Sequence, residues 1–548
     1  MEGWSSRPLL HPEVQPAAWT LIACAILIVG ICFANSLPNG FILDDYQIVD
    51  VNPAIRSIAP LQLLKTPYWG EKSDSGIYRP LTILSFSLEY PLWHRWPGGY
   101  RLTNWLLHAI NGLLVFVLAR WILQNIAAAS AASALYLAHP VHTEPVVGLA
   151  GRSELLAAMF FLCAWILFRR NKVVLCLAAF FLALLSKEIA IAFPVVIALD
   201  VFVFQGGLRA VAQHWKKISA VAAVAFVYLG LRLWILGGIG VPKGAQYLEG
   251  SLTFAQRELT TGRAFLKYLQ LLIAPVQVTG DYDFNSIPVA GMGDAVAWAG
   301  LLLAVAIAVL ALWMLRRQAE LSFAILFFYA TILPTSNWIM PTAIVMSERA
   351  LYLPSLGICL VAGILWSKLQ RRQIQALLAV GVMVTAAVLC IAHNYVWRDE
   401  LTYYGNLVRV LPDNVRGRQG YGVALVESGR PHEALEQFEA GLKIRRDAPS
   451  LVGLGDALMQ IDRNCGRARQ VLEEAMKIQP ADPFAPWLLG GCLEQQGLVK
   501  EAEASYRKAI DNTRFPDPKL LADWGRALER TGRPSEAQEA YRRAALLN

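Results

Sequence analysis

The sequence predicts an all-α protein in two parts, a polytopic membrane body followed by a solenoid of helical repeats. Three observations predict it. The chain has 548 residues, of which 56% are hydrophobic and only 16% charged, with a mean hydropathy of +0.42, which is too apolar for an ordinary soluble globule. The apolar residues gather in runs such as 17–34 and 296–315 that hold no charge. Beyond residue 412 the composition turns to Glu, Arg and Gln, and the sequence begins to repeat itself. These shifts divide the chain into a body at 1–394, a linker at 395–412 and repeats at 413–548.

A helix needs about 20 apolar residues to cross the hydrocarbon layer. Eleven runs qualify or nearly qualify: 17–36, 103–122, 126–141, 153–168, 172–186, 188–206, 218–237, 293–315, 319–334, 350–367 and 374–392. The first follows Arg7, His11 and Glu13 and lacks a small-residue cleavage pattern, so it reads as a retained span rather than a leader. Basic clusters at Arg169 to Lys172, Arg209 to Lys217, Arg316-Arg317 and Lys368 to Arg372 then fall on one side, which becomes the cytoplasmic one. The opposite side receives the long segment 37–102, the segments 142–152, 238–292 and 335–349, the turn at Lys187-Glu188, and the repeats. The short apolar stretch 263–276, followed by Asp281-Tyr282-Asp283, is expected to be interfacial or re-entrant.

In the C-terminal region Ala434, Ala468, Ala502 and Ala537 recur at separations of 34, 34 and 35 residues. Phe438, Leu472, Tyr506 and Tyr541 keep one offset from them, as do the turn glycines Gly429, Gly497 and Gly532, while the second repeat has Arg463 there. A 34-residue helix-turn-helix period with small and large residues at fixed offsets is the tetratricopeptide signature. Pro449 and Pro483 are expected to end second helices, and Cys465 and Cys492 are candidates to pair within the repeats, a pairing the sequence alone does not show. Stacked repeats build a concave groove for extended peptides, which implies binding and no chemistry.

A net charge of +8 admits a nucleic-acid binder, but the basic clusters between apolar runs are explained as topology signals, so no nucleic acid is expected. Six of the eight cysteines lie in apolar runs, and none has metal-ligand spacing. Chemistry is expected on the outer face. There a turn at Pro38-Asn39-Gly40 leads into the adjacent carboxylates Asp44 and Asp45, and Arg79, Arg101, His108, His139, His142, Glu144, Arg152, Glu154, Lys187 and Glu188 fall on the same side. Ionisable groups at membrane depth are costly and mostly line a site. His139, His142 and Glu144 on a proline turn resemble a metal site only faintly, which leaves a divalent metal open. A carboxylate among cations beside a bilayer suits transfer of a group from a lipid phosphate to a hydroxyl. The carboxylate acts as general base, and Arg or Lys offsets charge on the departing phosphate.

Several motifs then occur in a fixed order. They are Phe41-Ile42-Leu43-Asp44-Asp45, Tyr78-Arg79-Pro80-Leu81-Thr82, Asn104 to Ala109, His139-Pro140-Val141-His142-Thr143-Glu144 through Arg152, Ser186-Lys187-Glu188, Leu333 to Asn337, Ser347-Glu348-Arg349 through Gly357, and Trp397-Arg398-Asp399-Glu400. Together with the repeats they resemble the transmembrane and tetratricopeptide-repeat O-mannosyltransferases over nearly the whole chain. The resemblance implies a C-type glycosyltransferase membrane fold, a polyprenyl or dolichyl phosphate sugar donor, and transfer to Ser or Thr of proteins on the outer or luminal side. It implies catalysis at Asp44 and Asp45, with Arg79, Lys187 and Arg349 as candidates for the donor phosphate. The repeats are few beside the animal members, and a bacterial relative using undecaprenyl phosphate sugar in an inner membrane fits as well as one in the endoplasmic reticulum. Two other readings compete: a lipid-sugar transporter, favoured by the charges at 187 and 188 but showing no repeated block of spans, and a membrane scaffold that recruits partners through its repeats.

Overall fold

A computed structural model describes residues 15–50, 52–56, 58–69, 76–238, 252–282, 286–339, 342, 344–461, 465–513 and 517–546. Arg7, His11, Glu13, Asp283 and Arg463 lie outside the described residues. The fold is all-α: the described elements are helices, without a strand among them. The chain divides into two compact units, Met1–Asp399 and Glu400–Asn548.

In the first unit, seven helices among the described residues are long and apolar enough to cross a membrane: Ala18–Ser36, Pro97–Leu123, Leu149–Arg169, Glu188–Gln205, Trp215–Leu236, Ala295–Met314 and Arg372–Val396. Four shorter apolar helices, Ile126–Ala138, Val173–Ser186, Ala319–Thr335 and Ser355–Lys368, occupy the places of the remaining expected spans. Large apolar side chains such as Trp19, Phe226, Leu302 and Val380 stand exposed on these helices, as surfaces that face lipid do.

The stretch 263–276 belongs to a longer helix, Phe254–Ile273, opened by a reciprocal cap between Thr253 and Gln256. It carries Arg257, Glu258, Arg263 and Lys267 on a sequence with one apolar face. Those charges keep it from the set of crossing helices. Arg263 pairs with Asp294 at 2.6 Å.

In the second unit, helix pairs follow one another at the expected period: Val415–Glu427 with Pro431–Ile444, Ala448–Ile461 with Gly466–Ile478, Phe484–Gln495 with Val499–Asn512, and Pro518–Arg530 with Pro534–Ala545. Ala434, Ala468, Ala502 and Ala537 are buried, as are Phe438, Leu472 and Tyr506. The rings pack against glycines of their partner helices, so that a Cβ at Gly490 would come within 2.5 Å of Tyr506. Gly429, Gly497 and Gly532 all have φ between 72° and 78°, a left-handed turn that glycine enters without strain. Two details differ from expectation. Pro449 and Pro483 stand at the starts of the following helices rather than at the ends of second ones, where a missing N–H is harmless. Within the stretch expected as a linker, residues Glu400–Val410 form a helix, with Tyr403 and Leu407 buried. Cys465 and Cys492 form a disulfide.

Candidate active site

Leu43 adopts a φ of 51°, a left-handed backbone that a Leu rarely enters. The two carboxylates that follow have different surroundings. Asp44 is 44% exposed at its side chain, with Oδ2 3.6 Å from Arg349 Nη1. Asp45 is buried; its Oδ1 accepts the backbone N–H of Leu149 at 2.9 Å and of Ala150 at 3.4 Å. Burial pushes its carboxyl up to about 7, against the pull of Arg101 and of the backbone N–H groups.

Arg101 lies within the Pro97–Leu123 helix rather than in a loop, and it is buried. Its Nε donates to Val147 O at 3.0 Å, its Nη1 to Asn39 O and its Nη2 to Gly40 O at 2.5 Å. Asp45 and Arg101 therefore fasten the turn that carries Asp44.

Gly151 admits the Leu149–Arg169 helix close to the preceding turn, since a Cβ there would meet Pro145 backbone at 2.3 Å. That approach sets Arg152, Ser153 and Glu154 at the helix start. Arg152 is turned away into its own cage: Nη1 donates to Glu89 at 2.6 Å, Nε to Asn104 at 2.5 Å and Nη2 to Tyr100 O at 2.8 Å, with the guanidinium 4.5 Å from the Phe86 ring centre.

A chain of charges then runs from Glu188 to Asp44. Arg79 holds Glu188 with two bonds, at 2.8 and 3.0 Å, and reaches Ser153 Oγ at 3.5 Å. Ser153 donates to Glu154 at 2.7 Å, and the other oxygen of Glu154 receives Lys187 Nζ. Arg349 Nε stands 3.9 Å from Glu154 and 3.5 Å from Glu144, and its backbone N–H donates to Glu144 at 2.9 Å. The guanidinium of Arg349 thus touches three carboxylates, each at ion-pair range and none with a short side-chain hydrogen bond, and it is 30% exposed. The cluster opens outward at Asp44, Arg349 and Glu188, while Glu144, Glu154 and Lys187 are closed in. Lys187→Met leaves Glu154 buried without its ammonium, which is expected to cost about 3–5 kcal/mol; the loss is read from thermal denaturation of the solubilised chain.

Burial pushes Glu144 up to about 8, with Arg349 opposing. Its carboxyl therefore keeps a proton in the folded chain that the unfolded chain, near its ordinary value of 4.5, has released. Between pH 4.5 and 8 the folded state binds more protons, so stability from this group falls as pH rises, by up to about 1.4 kcal/mol per pH unit. The melting temperature is expected to drop from pH 5 to 8, with a flatter slope in Glu144→Gln.

His139 and His142 do not join this cluster. Both are buried, with burial pushing His142 well down. His139 Nε2 is 3.0 Å from Leu272 O and its Nδ1 accepts from Val141 N; His142 contacts Tyr136 O at 2.7 Å and Ser355 Oγ at 2.8 Å. With both nitrogens of each ring engaged, they tie the turn to neighbouring helices. His108 likewise bonds Tyr352 and Leu137 O. Among the described residues no cluster of three or more His, Cys, Asp or Glu side chains is arranged to hold a metal. Sequence reasoning missed Tyr68, Glu89 and Ser153. The adjacent aromatics Tyr68-Trp69 are the one sequence signal near any of these.

The arrangement offers an exposed carboxylate beside a loosely held guanidinium, on a frame of buried ion pairs. The family model described as Tetratricopeptide repeat matches residues 452–517. Over 98% of its length the chain is similar to the Protein O-mannosyl-transferase TMTC3 of Mus musculus, at 26% identity and covering 65% of that protein. It is similar to the Protein O-mannosyl-transferase Tmtc3 of Drosophila melanogaster at 27% identity, over 89% of this chain and 63% of that one. The chain thus spans just under two thirds of the length of these relatives. Among solved structures, MamA from Desulfovibrio magneticus RS-1 aligns with 27% of this chain and 82% of its own, at 24% identity and a TM-score of 0.23.

Proposed function

We propose that this chain, which resembles the transmembrane and tetratricopeptide-repeat O-mannosyltransferases along nearly its whole length, moves a sugar from a polyprenyl or dolichyl phosphate to Ser or Thr hydroxyls of proteins. The printed names of the relatives, Protein O-mannosyl-transferases, support mannose as the sugar. The single observation that carries the reading is the open Asp44 carboxylate 3.6 Å from Arg349. A base for the acceptor and a cation for the leaving group stand side by side there.

In this mechanism the donor phosphate takes up spare N–H groups of Arg349, and the acceptor hydroxyl approaches Asp44. The hydroxyl oxygen attacks the anomeric carbon from the face opposite the phosphate and the configuration inverts. The bond from that carbon to the phosphate oxygen breaks, its electron pair stays on the phosphate, and the hydroxyl proton passes to Asp44. Arg349 meets the growing charge, and the bound geometry removes much of the entropy of bringing two substrates together. Asp45, Arg101 and Arg152 act through the positions of others. Lys187 and Arg79 are occupied by Glu154 and Glu188 and set the field around Arg349.

The repeats carry the protein acceptor, and the membrane body holds the donor lipid. The Cys465–Cys492 disulfide supports an oxidising compartment for the repeats, the periplasm or the endoplasmic reticulum lumen. The test is transfer of labelled mannose from polyprenyl phosphate mannose to a Ser/Thr-rich peptide by the purified full chain in proteoliposomes. Absence of transfer from every polyprenyl phosphate sugar offered overturns the reading.

A further inference from the structure

We propose that the hydroxyl of Tyr68 donates a hydrogen bond to the phosphate of the lipid-linked sugar and strengthens that bond as the phosphate departs. This rests on the reading of the site given above and adds a residue to it.

Tyr68 lies in the segment 37–102, where its backbone N–H donates to Ile77 O at 2.9 Å. Its ring is held on all sides, in a core with Ile48, Ile55, Leu63, Ile83 and Phe86 and edge-on to Trp69 with centres 4.8 Å apart. The Arg79 guanidinium stands 5.4 Å from the ring centre. The side chain is 2% exposed, and its hydroxyl is buried with no hydrogen-bond partner. Arg79, Asp44, Glu154 and Arg349 are the charges near enough to act on that hydroxyl, and Arg79 belongs to the charge cluster through Glu188 and Ser153.

A buried hydroxyl left without a partner is a standing cost, and Phe would fill the same apolar socket without it. The carboxylates nearby are engaged by Arg349, Lys187 and Ser153, and guanidinium groups have no acceptor to offer. Burial raises the phenol far above neutrality, so the group is a donor. What it lacks is an acceptor. Of the two substrates only the lipid phosphate brings anionic oxygens to Arg349, and a hydrogen bond to an oxygen that gains charge is stronger in the transition state than before it.

The experiment uses the full chain in proteoliposomes, with polyprenyl phosphate mannose and a Ser/Thr peptide, comparing wild type, Tyr68→Phe and Asp44→Asn. Tyr68→Phe is expected to lower kcat by roughly ten- to a hundredfold, to change KM for the donor less than about threefold, and to leave the melting temperature equal or raised. Titration with polyprenyl phosphate alone is expected to show weaker binding to Tyr68→Phe. Wild-type turnover by Tyr68→Phe, or a loss that follows a lowered melting temperature with unchanged polyprenyl phosphate affinity, overturns the assignment. Full transfer by Asp44→Asn sinks the reading of the site itself. A dead Asp44→Asn beside a fully active Tyr68→Phe sinks only the role of the tyrosine.

Discussion

Asp44→Asn is expected to reduce transfer by about 10²- to 10⁴-fold, the usual worth of a positioned general base, while Asp45→Asn loses at most about tenfold. The substitution at Asp44 removes the proton acceptor and leaves the volume unchanged. Asp44 is partly exposed and, among the described residues, its carboxylate pairs with Arg349 at 3.6 Å, so its replacement is not expected to unfold the chain. Asp45 sits one residue on with the opposite character. An Asn there still accepts the Leu149 N–H, which is the bond that fixes the turn. The measurement is single-turnover transfer at saturating donor, with melting temperatures for both variants as the control. Equal loss in the two variants would show the pair acting together, and loss confined to Asp45→Asn would reverse the roles.

Arg349→Lys and Arg349→Gln are expected to separate charge from geometry. Removing a group that meets developing charge costs about 10²- to 10³-fold in kcat, so Arg349→Gln is expected to lose that much and to weaken donor binding as well. Arg349→Lys keeps a positive charge near Asp44 and Glu144 but lacks the planar fork that can serve carboxylates and a phosphate together; an intermediate loss follows. Transfer rates against donor concentration check both. If Lys and Gln fall equally, the fork matters and the charge does not; if neither falls, the phosphate is held elsewhere.

Much of this fold was legible because its two parts speak in different periods. Apolar runs such as 296–315 admit one solution in a membrane, and a recurrence of Ala and large side chains every 34 residues admits one in water. The site was legible only as a list of charged residues on one face. Asp44, Glu144, Arg349, Lys187, Arg79 and Glu188 are gathered by contacts that span up to 305 residues between Asp44 and Arg349, and no local pattern announces such pairs. Imidazoles on a proline turn suggest ligands, yet the partners of His139 and His142 are backbone groups and a hydroxyl 213 residues away. Arg152 was drawn in as a cation, but its counter-charge Glu89 lies in a segment that gave no signal. The division of Asp44 from Asp45 depends on backbone conformation after Leu43, which sequence does not state.

Arg349 stands against the carboxylates of Asp44 and Glu154, so the site contains anions of its own. An arriving phosphate does not fill an empty cation; it trades places with them. The exchange works in both directions. On the proposed reading the lipid phosphate gains a negative charge on transfer and would cling to a bare guanidinium, and the tethered carboxylates compete to reclaim that guanidinium. On that reading the ion pairs around Arg349 act as an internal competitor that shortens the stay of the spent lipid on the protein.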